Sequence, residues 1–111
     1  MRKASIAIEH EGPFAGDPLT DDAIAGTFRI FQRVNGHRFS LDDVLTAQEA
    51  VMAAEARNLA PKRCADIGTG IGSVLLMLAH RLHDATFVTV EAQEISFALL
   101  QRNVARNGLG N

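Results

Sequence analysis

The chain has 111 residues, of which 47% are hydrophobic and 22% charged, and a formal net charge of -2. That length gives one domain or part of one, and the apolar content excludes a wholly disordered chain. The near-neutral charge carries no global sign of nucleic-acid binding, though it leaves room for a local basic patch. The single cysteine, Cys64, cannot form an internal disulfide, which suits a reducing cytoplasm. Its neighbours read as those of a small apolar strand residue, with no base or metal ligand beside it. No apolar run approaches the roughly 18 residues that cross a membrane. Glu9, His10 and Glu11 interrupt any signal-type run after Arg2 and Lys3. A cytoplasmic location without a membrane partner is the expectation.

Residues 1–18 read as a loose arm, with turn signals at Gly12-Pro13 and Asp17-Pro18. Residues 19–60 read as a lead-in of hairpin and helix. Thr20 is expected to cap a short helical turn over Asp21-Asp22-Ala23-Ile24, with Gly26 as its stop. Residues 27–40 are expected to form a β-hairpin. Phe28 and Ile30 alternate with Arg29, Asn35-Gly36 supplies a type I′ turn, and Phe39 continues the return strand. Ser40 then starts a helix, with Asp43 placed to complete its cap. Val44, Leu45, Ala47, Val51, Met52 and Ala54 form its apolar stripe, a pattern of core packing. The helix runs to about Asn58, before Pro61 blocks it.

From residue 61 onward the pattern changes to strand, glycine turn, helix, strand, helix. A strand is expected over 63–67 and a helix over 72–82. A turn at His83-Asp84 follows, then a second strand over 86–90 and a second helix over 94–107 with Gly108 as its stop. Ile95, Ala98, Leu99 and Val104 make that helix's buried stripe. Both strands are apolar almost throughout, as parallel strands covered on both faces are. Between the first strand and its helix lies Asp66-Ile67-Gly68-Thr69-Gly70-Ile71-Gly72. Its alternate glycines, Gly68, Gly70 and Gly72, let the backbone turn sharply and approach a ligand, because no Cβ intervenes. Unpaired N–H groups at the helix start would meet acceptors there. Glu91 ends the second strand, where an acid hydrogen-bonds a ribose hydroxyl in mononucleotide-binding βαβ units. A pyrophosphate would be repelled by Asp66, whereas a cationic, phosphate-free ligand would be attracted. A nicotinamide or other nucleotide site, or glycines that merely make a tight connection, are the alternatives.

The joint pattern D-x-G-x-G-x-G, an acid ending the next strand and a helix after it resembles motifs I and II of the Rossmann-like S-adenosylmethionine-dependent methyltransferases. The resemblance implies an α/β chain holding the N-terminal part of that fold's parallel sheet, β-α-β-α, with the cofactor domain starting at residue 61. It places Gly68, Thr69, Gly70 and Gly72 under the amino-acid part of S-adenosylmethionine. It puts Asp66 at the cofactor's amino group and Glu91 at its ribose hydroxyls.

Upstream, Gly36-His37-Arg38-Phe39-Ser40-Leu41-Asp42-Asp43-Val44-Leu45 resembles a segment of the bacterial tRNA adenine-N6-methyltransferase group, which modifies an adenine of a valine tRNA. Leu19 to Ile30 resembles that group's lead-in. The resemblance implies tRNA as a partner and sets Asp42 at the mouth of the cofactor pocket. The alternative for Asp42 is an acid serving the helix dipole. Leu100 to Leu109 contains an N-x-x-x-N-G-L ending shared by nucleic-acid and protein N-methyltransferases.

The group's catalytic [DN]-P-P-[YFW] motif has no counterpart here, since Pro13, Pro18 and Pro61 stand apart and none follows an Asn. No catalytic residue is assigned, and the motif is expected beyond Asn111. The chain by itself is therefore expected to be inactive. A non-catalytic adenosine-binding module, or an rRNA or protein N-methyltransferase on the same scaffold, are the alternative functions. A two-stranded parallel sheet would leave edges and apolar faces bare, so pairing with a second copy is a further expectation. Arg29, Arg33, His37 and Arg38 make a basic cluster for tRNA phosphates, or else a solvated face. Phe28, Phe31 and Phe39 read as packing residues rather than base-stacking platforms.

Overall fold

The computed structural model describes residues 6–11, as backbone, and residues 17–109. It is mixed α/β: β1 (Ile6–Glu11), β2 (Pro18–Ala25), β3 (Phe28–Arg33), α1 (Leu41–Ala56), β4 (Arg63–Ile67), α2 (Ser73–Arg81), β5 (Thr86–Val90) and α3 (Glu94–Arg106). Three strands form an antiparallel sheet in the order β1-β2-β3, while β4 and β5 form a separate parallel pair. No described helix is long and apolar enough to cross a membrane.

The strands and helices from residue 63 onward fall where the apolar pattern placed them. In contrast, the lead-in differs in three ways. Residues 6–11, expected in a loose arm, pair with β2 as a strand. The Gly12-Pro13 turn lies outside the described residues. Residues 20–26, expected as a helical turn, belong to β2 and to a turn at Gly26-Thr27 that joins it to β3. The acids read as first-turn helix residues are instead strand residues held by arginines. Asp21 pairs with Arg29 Nε at 3.2 Å, and Asp22 accepts from Arg38 at 3.1 Å.

The hairpin turn is therefore at Gly26-Thr27 and not at Asn35-Gly36. Those residues do turn the chain, but no return strand follows. The Gln32 side-chain Oε1 accepts the Phe39 N–H at 2.7 Å, which replaces a ladder by one bond and leads the chain into Ser40. At Ser40 the expected helix start is present: the Asp43 carboxylate accepts the Ser40 N–H at 3.2 Å. The helix ends in a Schellman arrangement, with Asn58 left-handed and the Leu59 N–H donating to Ala54 O at 2.8 Å.

The core lies between the antiparallel sheet and helices α2 and α3. Leu19, Ile30, Phe31, Ile71, Leu76 and Leu99 form its buried cluster. Phe28 packs edge-on against the His80 ring, and Arg102 lies over the Phe31 ring, so these aromatics are packing residues. The parallel pair is less covered than expected. Phe87 and Thr89 are half-buried, while Ile67, Val88 and Val90 on the opposite face are 74%, 61% and 49% exposed. Helices pack on one face only of this pair. The α1 stripe is likewise narrower than the periodicity suggests: Ala47 and Val51 are buried, but Leu45 and Met52 are exposed. On α3 the buried positions are Leu99, Leu100 and Asn103, with Ile95, Ala98 and Val104 only half-buried.

Asn103 and Asn107 complete an edge of the antiparallel sheet. Asn103 accepts the Phe31 N–H at 2.6 Å and donates to Phe31 O at 3.1 Å. Asn107 accepts the Arg29 N–H at 2.7 Å and donates to Arg29 O at 2.7 Å. Four helical residues rise about 6 Å, close to the roughly 6.8 Å between alternate strand residues. Two amides at i and i+4 on α3 thus substitute for a neighbouring strand on the free side of β3, where unpaired backbone groups would otherwise cost free energy. This is the physical content of the N-x-x-x-N spacing.

Candidate functional site

The glycine turn sits at the carboxyl end of β4, and β5 holds its first half. Gly68 and Thr69 both donate their N–H groups to Val90 O, at 2.8 and 3.0 Å. The Thr69 side chain is buried, and its hydroxyl donates to Asp66 O at 2.7 Å. Thr69 therefore braces the turn from within. The next residue of β5's end, Glu91, takes over from there. Its Oε1 accepts the Gly70 N–H at 2.7 Å, and its Oε2 accepts the Gln93 N–H at 3.0 Å. The motif's glycine and its distant acid are thus in direct contact. Each carboxylate oxygen keeps a second lone pair for another donor.

The three glycines have different surroundings. All are left-handed, with φ of 74°, 64° and 99° at Gly68, Gly70 and Gly72. A Cβ at Gly68 or Gly70 would meet no heavy atom within 4 Å. Those two positions face open space that a ligand can use. At Gly72 a Cβ would stand 2.9 Å from Leu100 Cδ1. Gly72 therefore serves the packing of α3 against the turn, and it begins α2 with no side chain to cap the helix.

Asp66 is the electrostatic anomaly. Its Oδ2 is buried and accepts no hydrogen bond among the described residues. Burial pushes its carboxyl above the ordinary aspartate range, because the ionised form loses water. An unsatisfied buried carboxylate oxygen is costly to a fold and marks a place where a donor or cation would be accepted.

Asp42 lies exposed in the first turn of α1. Its neighbour Asp43 makes the connection to the turn, accepting the Ser73 hydroxyl at 3.1 Å. Asp43 was legible only as a capping residue, and Ser73 carried no signal beyond its place at the helix start. Asn103 was also missed as a brace, although its amide donates to Ile71 O within the glycine turn at 2.8 Å. A polar residue three and four positions after Leu100 and Leu99, on their helix face, was the signal available for it.

The basic cluster of the lead-in is largely neutralised. Arg29 is paired with Asp21, Arg33 with Asp17 at 2.9 Å, and Arg38 with Asp22, while His37 is exposed. A cavity of about 480 Å³ lies apart from the glycine turn, between Phe87 of β5 and Leu75, Ala79, Val104 and Leu109. Its lining mixes these apolar residues with His83, Thr86 and Thr89, and it lies beneath the parallel pair. The chemistry gathers instead at the turn itself: the acids Asp66 and Glu91, two unobstructed glycines and a helix start without a side-chain cap. Comparison with protein-family models and with curated proteins finds no match to this chain.

Proposed function

We propose that this chain is the S-adenosylmethionine-binding portion of a methyltransferase with a Rossmann-like fold, acting on an adenine N6 in tRNA in a reducing cytoplasm. The observation that carries the cofactor assignment is the pair of acids flanking the glycine turn. Glu91 is held against Gly70 with lone pairs to spare, and Asp66 has a buried oxygen without a partner among the described residues. An adenosine ligand bearing cationic groups suits both acids, and no phosphate needs to be placed beside Asp66.

The fit is one of chemistry and space. Glu91 would accept from ribose hydroxyls, Asp66 would accept from the ammonium of the amino-acid part, and Gly68 and Gly70 would let the backbone pass beneath it. When bound, S-adenosylmethionine supplies a methyl group already activated by its sulfonium. What these residues add is orientation, which brings donor and acceptor into line and lowers the entropic cost of transfer. The tRNA acceptor rests on the resemblance of the Gly36–Leu45 segment. The ion-paired arginines leave little free charge on the described lead-in for phosphate contacts.

Isothermal titration tests the cofactor reading. S-adenosylmethionine and S-adenosylhomocysteine should bind, with NAD and ATP as controls. Glu91→Ala should weaken binding at least about tenfold, the loss of one charged hydrogen-bonding group. Binding of NAD in preference to S-adenosylmethionine would overturn the assignment. A gel-shift titration with unmodified tRNA tests the partner, and the absence of a shift would remove tRNA from the proposal.

A further inference from the structure

The glycine turn is fixed at its entrance by β5 and Glu91 and braced at Ile71 by Asn103, and its exit at Ser73 carries a further restraint. Ser73 is 7% exposed and follows a left-handed Gly72. Its hydroxyl donates to Asp43 Oδ2 at 3.1 Å, thirty positions away in sequence. The same oxygen accepts the Ser40 backbone N–H at 3.2 Å. One carboxylate oxygen thus joins the start of α1 to the start of α2. Both helices present their positive dipole ends to it, which stabilises an acid there. The two helices also pack against each other, and Ala47 and Val51 of α1 and Met77 of α2 are buried.

We infer that Asp43 is a positioning residue for ligand binding at the glycine turn, acting through the Ser73 hydroxyl. It touches no ligand position itself. By holding Ser73 against α1, it fixes the exit of the turn, so that the Gly70 N–H stays on Glu91 and the open side of the turn keeps its shape. Without this restraint the exit of the turn gains freedom that ligand binding must remove, and that ordering reduces affinity. The inference rests on the proposed S-adenosylmethionine site for its ligand. It adds a segment, the α1 start, that the glycine motif does not contain.

The test is a double-mutant cycle on the full chain. S-adenosylmethionine affinity is measured for the wild type, Asp43→Ala, Ser73→Ala and the double variant. Ser73→Ala is the cleaner change, because it leaves the α1 cap intact. Each single variant should weaken binding about fivefold, a loss of one hydrogen bond's net contribution. The double variant should bind no more weakly than Asp43→Ala. Asp43→Asn, which keeps an acceptor for Ser73, should restore most of the affinity. Unchanged affinity in both single variants, or fully multiplicative losses in the double, would overturn the inference.

Hydrogen exchange without ligand separates this failure from failure of the cofactor assignment. Peptides covering residues 68–77 should exchange faster in Asp43→Ala and in Ser73→Ala, to a similar extent. If the wild type binds no S-adenosylmethionine but this exchange pattern holds, the cofactor assignment falls and the coupling of α1 to the turn stands. Unchanged exchange in both variants would refute the coupling whether or not ligand binds.

Discussion

Replacing Asn103 by alanine probes the joint between the antiparallel sheet and the glycine turn. The side chain is fully buried and makes three hydrogen bonds: it accepts the Phe31 N–H at 2.6 Å and donates to Phe31 O at 3.1 Å and Ile71 O at 2.8 Å. A net contribution of about 1 kcal/mol per bond is typical, and a buried group left without its partner costs about 1–3 kcal/mol. The Phe31 N–H loses this partner, and the two carbonyls lose theirs at lower cost. Together these give a destabilisation of roughly 3–5 kcal/mol, a large part of the about 5–15 kcal/mol that holds a typical domain.

Urea titration followed by circular dichroism measures it. Asn103→Asp is the informative companion. It keeps the acceptor for the Phe31 N–H but turns a carboxylate toward two carbonyl oxygens, so it should be no more stable than Asn103→Ala. Asn107→Ala breaks analogous bonds to Arg29, but at a half-buried site where water can replace them. It should cost about 1–2 kcal/mol. A loss below about 1 kcal/mol for Asn103→Ala, or a larger loss for Asn107→Ala, would refute the surrogate-strand account.

Alanine at Gly72 combines a left-handed φ with a collision against Leu100 and should cost about 2–3 kcal/mol in thermal or urea unfolding. Alanine at Gly70 meets no atom, so it should cost only about 1 kcal/mol of backbone strain while sharply weakening ligand binding; equal stability losses at the two sites would contradict the different surroundings described. Asp66→Asn tests the buried carboxylate. The folded chain takes up that proton at a higher pH than the unfolded chain, so ionisation opposes folding: the penalty is absent below the ordinary aspartate range and fully present above the raised one. Melting curves from acid to neutral pH should show the variant gaining stability relative to wild type as pH rises through that window, while titration at neutral pH shows S-adenosylmethionine affinity reduced at least about tenfold. Asp21→Asn removes half-exposed ion pairs to Arg29 and Arg106 and should change stability by no more than about 1 kcal/mol, less at high salt, as equilibrium unfolding in two salt concentrations would show.

The α/β half of the chain was legible because its signals are local. A short strand with Cys64, Ala65 and Ile67, three alternate glycines and a helix with Gly108 beyond its end specify strand, turn and helix with little help from elsewhere. Glu91 was legible as an acid ending the second strand, but its bond to the Gly70 N–H was not: the parallel register of Ile67 with Val90 brings the two strand ends level. The lead-in was not legible in the same way. Asp21 and Asp22 carry a helix-start signal, but cross-strand arginines satisfy them in β2, and tertiary pairing outweighs a weak local preference. Asn35-Gly36 carries the strongest local hairpin signal, yet the chain turns there without returning as a strand, because Gln32 and the α1 start claim the residues that follow.

By itself the sequence determined the order of elements after residue 61 and the backbone form of the glycine turn, because conformation there is set by residues within a few positions of one another. Only the tertiary structure decided how that turn is held. Asn103 from α3, Asp43 from α1 and Glu91 from the end of β5 reach it from three separate elements. Each of these contacts depends on the relative placement of packed helices and strands, which no local pattern encodes.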